Sequence, residues 1–81
     1  MIIDNLNEEL IEKADSFSDW FKLALANNEM TESGMAKELR CSRQTVSAWL
    51  RKGSKPSWSA LRIICETLGV DAETVWNKWF K

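Results

Sequence analysis

The 81 residues predict an all-α fold, a compact bundle of about five short helices, on three observations. Apolar residues recur at three- and four-residue intervals, without the sustained alternation of a half-buried strand. Ser, Thr or Asp precedes each such run, where a side-chain oxygen can accept from the free amides of a first helical turn. With 44% hydrophobic residues and five Trp, the chain can build one core, although it lies near the lower size limit for a self-sufficient one.

Residues 1–15 are an acidic segment in which a further helix fits between Ile2 and Ala14. Its apolar set, Ile2, Ile3, Leu6, Leu10 and Ile11, is suited to packing on the core or on a partner. The domain proper spans 16–81. Ser16, with Asp19 three residues on, makes a capping-box-like start, and Phe17, Trp20, Phe21, Ala24 and Leu25 form the stripe that follows. Thr31 precedes a second run, Met35, Ala36 and Leu39. Ser42 precedes a third, in which Val46, Trp49 and Leu50 are the inward residues. A basic loop, 51–56, then turns at Gly53, which tolerates positive φ, and stops at Pro56. Ser57 caps a fourth helix with an expected buried face of Trp58, Leu61, Ile64, Cys65 and Leu68, ended by Gly69. Asp71 is the expected cap of a last helix, Ala72 to Phe80.

Residues 31–50, TESGMAKELRCSRQTVSAWL, read as two short helices joined by a tight turn at Arg40 and Cys41, a helix-turn-helix. Ala36 is small enough to let the two helices approach, with Val46 packing across from it. That arrangement leaves Arg43, Gln44, Thr45, Ser47 and Ala48 facing outward on the second helix.

These residues carry a resemblance. SRQTVSAWL from Ser42 to Leu50, GSKPS from Gly53 to Ser57 and ALRIICETLGV from Ala60 to Val70 are similar to the phage repressor and Cro family, the xenobiotic-response-element regulators. The likeness covers roughly residues 17 to 75 and implies a lambda-repressor-like DNA-binding domain. Two positions depart from the family pattern. Arg40 stands where Gly is usual in the turn, so a residue with a Cβ is expected in the left-handed region at about 1 kcal/mol. Glu32 stands where many relatives carry a Gln that contacts phosphate, and a carboxylate there suits a helix N-terminus but repels DNA. Gly34, inside the first motif helix, is unfavourable by roughly 1 kcal/mol relative to Ala.

Charge is segregated although the net value is −1. Residues 1–29 hold seven acidic and two basic side chains, residues 30–62 seven basic and two acidic, and the last nineteen three acidic and two basic. Such a field turns the middle of the chain toward a polyanion. The resemblance places the second motif helix in a major groove with Arg43, Gln44, Thr45 and Ser47 at base edges. Arg43 suits guanine through a bidentate contact and Gln44 suits adenine. Thr31, Ser42, Arg51, Lys52, Ser54 and Lys55 are the expected phosphate contacts, which fix position and salt dependence rather than sequence.

Val75, Trp76, Trp79 and Phe80 form an apolar face on the last helix. It suits either core packing against the first helix of the domain or, the favoured reading, a homodimer contact that spaces two recognition helices one DNA turn apart. Cys41 and Cys65, without His partners, make no zinc site and read as small buried hydrophobes, with a disulfide or redox sensor as the alternative. No cofactor, metal or catalytic set is expected: there is no His and no glycine-rich phosphate loop, and the carboxylates lack a paired-acid setting. The N-terminus has none of the parts of a signal peptide, and no apolar run approaches a membrane span, so the expected place is the cytoplasm of a bacterial cell or a phage-infected host. The expected function is a sequence-specific repressor on a palindromic operator. The alternative is a protein-binding module, an antitoxin or inhibitor, on the same fold.

Overall fold

A computed structural model describes residues 6–81. Six helices follow in order: α1 (Leu6–Lys13), α2 (Phe17–Asn27), α3 (Glu32–Leu39), α4 (Arg43–Arg51), α5 (Trp58–Leu68) and α6 (Ala72–Trp79), with no strand among the described residues. The packing expected of Ile2 and Ile3, and of the Leu6 side chain, lies outside what is described. The acidic segment is helical from Leu6 and joins the domain, because Ile11 and Ala14 are buried in the same core as the later helices.

Local chemistry sets most of the helix starts. The hydroxyls of Ser16, Thr31, Ser42 and Ser57 each accept from the amide three residues on, at 2.9–3.3 Å. Asp71 departs from the expectation: its carboxylate caps no amide and instead accepts from the Thr74 hydroxyl at 2.9 Å. Gly34 gains a reason here. A Cβ at that position would lie 3.2 Å from the Thr31 hydroxyl, so a larger residue would crowd the oxygen that caps α3.

Three helix ends turn through the left-handed region, at Glu29 (φ 54°), Arg40 (φ 57°) and Gly69 (φ 78°). Each is followed by an amide that donates back five residues, Met30 to Leu25, Cys41 to Ala36 and Val70 to Cys65, at 2.9–3.0 Å. The Arg40 conformation is the one expected where Gly is missing. Arg40→Gly relieves about 1–2 kcal/mol of left-handed strain and gives back about 0.4–1 kcal/mol through a more flexible unfolded chain. The melting temperature, followed by circular dichroism, is expected to rise by about 3–5 °C. An unchanged or lower value would show that the strain at Arg40 does not exceed the entropy that glycine adds to the unfolded chain.

The core is a nest of rings and branched chains between α2 and the other helices. Trp20, Phe21 and Ala24 have no exposed surface, Phe17 is stacked on Phe21 at 5.4 Å, and Met35, Val46, Leu61, Ile64 and Val75 close the interior. Ala36 and Val46 are both buried where the two motif helices meet, as their sizes require. A further tie joins the motif to the scaffold: the Ser18 hydroxyl donates to the Trp49 carbonyl at 2.6 Å.

Trp58 is the exception among the residues expected inside. It is 39% exposed because it begins α5, beyond the edge of the core, where its ring meets Trp76 edge-on at 5.2 Å. Both cysteines are free thiols, Cys41 half-buried in the turn and Cys65 fully buried. Burial, and secondarily the Asp71 carboxylate, pushes the Cys65 thiol up to about 12, which makes it a packing residue rather than a nucleophile.

Candidate nucleic-acid interface

Helix α4 is fixed on one side and free on the other. Val46, Trp49 and Leu50 bury its inner face, while Arg43, Gln44 and Thr45 stand exposed on its first turn. The Ser42 cap defines where that turn begins. Its oxygen accepts from the Thr45 amide at 3.2 Å and lies 3.0 Å from the Thr45 hydroxyl, so these two hydroxyls engage each other. Arg43 and Gln44 are both exposed, on a helix whose position the core determines.

Ser47 and Arg51 follow Arg43 at successive four-residue steps along the edge of α4 that borders the start of α3. Arg51 makes two charge-assisted contacts there, one guanidinium nitrogen donating to the Ser47 hydroxyl at 2.7 Å and another to the Glu32 carboxylate at 2.7 Å. The Arg51 hydrogen bond, joined by the fields of Arg51 and Arg43, holds the Glu32 carboxyl below its usual value against a smaller opposing effect of burial. Thr31, Glu32, Ser33, Arg43, Ser47 and Arg51 line one open depression between the two motif helices. Thr31 and Ser42, expected as phosphate contacts, are the caps of α3 and α4 and flank this edge.

In the loop after α4, Lys52 and Ser54 are exposed, and Gly53 turns with φ 75°. Lys55 is exposed but engaged: its ammonium donates to the Trp79 carbonyl at 2.6 Å and sits 5.3 Å from the centre of the Phe80 ring. That contact fastens the loop to the end of α6, 24 residues away.

The four C-terminal residues read as a dimer face divide. Val75 is wholly inside the core, and Trp79 and Phe80 both set their edges against Phe17. Trp76 stacks on Phe80 at 5.0 Å and reaches toward Trp58, so the half-exposed rings at this end are Trp76, Trp79 and Phe80 beside the exposed Trp58. The reading of residues as separate contacts missed the link from Glu32 through Arg51 to Ser47, and it missed Ser33. The available signal was opposite charge at the start of one motif helix and the end of the next, which lie close when the two cross.

A family model described as a helix-turn-helix matches residues 21–75, from the middle of α2 to α6, with the whole two-helix motif inside it. No curated protein and no solved structure matches the chain.

Proposed function

The chain belongs to the Cro/C1-type helix-turn-helix family of DNA-binding regulators, and from that premise we propose that it is a sequence-specific repressor that binds a palindromic operator as a homodimer. The observation that carries this reading is the pair Arg43 and Gln44, exposed at the first turn of a helix whose other face is locked in the core. With α4 in the major groove, the Arg43 fork meets the two acceptors on a guanine edge and the Gln44 carboxamide matches the donor and acceptor of adenine. Thr45 and Ser47 border the same bases. Arg51, Lys52 and Ser54 lie along the backbone, with Thr31 and Ser42 at the helix starts that approach phosphates.

One such domain reads only a few base pairs, and a second copy on a half-site one helical turn away multiplies both affinity and specificity. The rings of Trp76, Trp79 and Phe80 that remain half-exposed are the proposed contact between copies, and Val75 takes no part because it is spent in the core. Repression follows from occupancy: an operator covered by the dimer is closed to polymerase. The proposed setting is the cytoplasm of a bacterial cell or an infected host, and among the described residues no helix is long and apolar enough to cross a membrane.

Selection of sites from a random duplex pool at physiological salt tests the reading. Enrichment of a palindrome with half-sites about one turn apart, each with a guanine at the position Arg43 reaches, is the expected result. Recovery of the starting pool unchanged would remove the DNA reader and bring forward a protein-binding role.

A further inference from the structure

Glu32 is the one acidic residue among the six that line the depression between α3 and α4, and it faces two arginines. Its carboxylate accepts from Arg51 at 2.7 Å while Arg51 is steadied from below by Ser47 at 2.7 Å. In a helix-turn-helix docked on DNA, the first helix crosses the backbone while the second lies in the groove, so this strip between them is where phosphates pass. A carboxylate and a phosphodiester present the same kind of oxygen to a guanidinium fork. The residue that meets Arg51 in the free protein is therefore chemically equivalent to the group it would meet on DNA.

We propose that Glu32 occupies on Arg51 the place of a DNA phosphate, so that DNA docking at this edge exchanges one anion for another and Glu32 thereby limits the sequence-independent part of binding. The proposal rests on the DNA-binding reading and deepens it. Its physical basis is counterion release. Cations condensed on DNA are released as basic side chains neutralise its phosphates, and that release is the main source of salt-dependent affinity. Arg51 is already neutralised by a carboxylate tethered to the chain, so the pair brings no net positive charge to the phosphates and displaces fewer of those cations. The displaced carboxylate then remains beside the backbone and repels the phosphates within a screening length of about 8 Å. The opposing effect, orientation of Arg51 by Glu32, is small, because the Arg51 side chain is 58% exposed and Ser47 still holds it when Glu32 is gone. Discrimination among sites consequently falls more heavily on the base edges met by Arg43 and Gln44.

The test compares the wild type, Glu32→Gln, and the double variant Glu32→Gln with Arg51→Ala, by titration of a fluorescent random-sequence duplex over a salt series. Glu32→Gln keeps the Thr31 cap of α3 and its melting temperature serves as the check on folding. Its affinity is expected to rise about fivefold to tenfold, with the slope of log affinity against log salt steeper by about 0.9, one added phosphate contact. Removing Arg51 as well is expected to return both quantities to near the wild-type values. A wild type that binds while Glu32→Gln binds no more tightly and with the same slope would overturn the exchange. A gain that persists without Arg51 would overturn it too, by showing that the effect of position 32 does not pass through Arg51. If no variant binds any duplex, the DNA-binding reading falls and the exchange with it.

Discussion

Trp20→Ala is expected to lower the stability of the fold by about 3–5 kcal/mol, the range for emptying a buried aromatic site. Trp20 has no exposed surface and is ringed by Phe17 at 5.7 Å, Trp79 at 6.1 Å and Phe21 at 6.4 Å, so it joins α2 to α6 as well as filling the centre of the core. Three of its neighbours are rigid rings, which cannot collapse into the space an indole leaves, and a site that cannot collapse sits at the upper end of the range. Native proteins are stable by roughly 5–15 kcal/mol, so the variant loses about a fifth or more of its margin. Urea unfolding followed by far-ultraviolet circular dichroism reads the change. Trp58→Ala is the control: its ring is 39% exposed and rests mainly on Trp76, and it is expected to change stability by less than about 1.5 kcal/mol. Equal losses in the two variants would mean that the aromatic core is not centred on Trp20.

Arg43→Ala combined with Gln44→Ala is expected to abolish preference among DNA sequences. Each bidentate contact discriminates by about 1–3 kcal/mol, so the pair together is worth roughly 30-fold to 10⁴-fold in the ratio of operator to random binding. Both side chains are exposed, and the Ser42 cap that starts α4 is untouched, so the melting temperature is expected to stay within about 2 °C of the wild type. The measurement is the affinity for the selected site and for random duplex at one salt concentration. Preference retained by a folded double variant would place the reading head elsewhere on the surface. Glu32→Gln is expected to act in the opposite sense, raising random binding while leaving the base-edge groups in place, so the two variants separate the parts of the interface that choose a sequence from those that hold any duplex.

Both predictions draw on features of different legibility. Five helix starts were readable from capping residues and apolar spacing, and four of the five caps form as expected because the hydroxyl and the amide it accepts from are three residues apart. Asp71 shows the limit of that reading: its oxygen finds the Thr74 hydroxyl before any amide. The strained turn at Arg40 was legible through the family resemblance, in which glycine is usual at that position, whereas the left-handed Glu29 carried no comparable signal. The exposed first turn of α4 followed from the burial of Val46, Trp49 and Leu50 one face away.

The chain's pattern was thus sufficient for helix order, for the motif and for the side of α4 that faces out, since each depends on spacing within a few residues. Packing settled the rest. Val75 is enclosed by the core, whereas Trp79 lies against Phe17 and Trp20 and stays partly exposed, a division that depends on how α6 meets α2. Trp58 shares the helical phase of Leu61 yet lies outside, because phase fixes the direction of a side chain and not whether the core extends far enough to cover it. Glu32 meets Arg51 across 19 residues and the Lys55 ammonium meets the Trp79 carbonyl across 24, separations at which no local rule operates and tertiary packing brings the partners together.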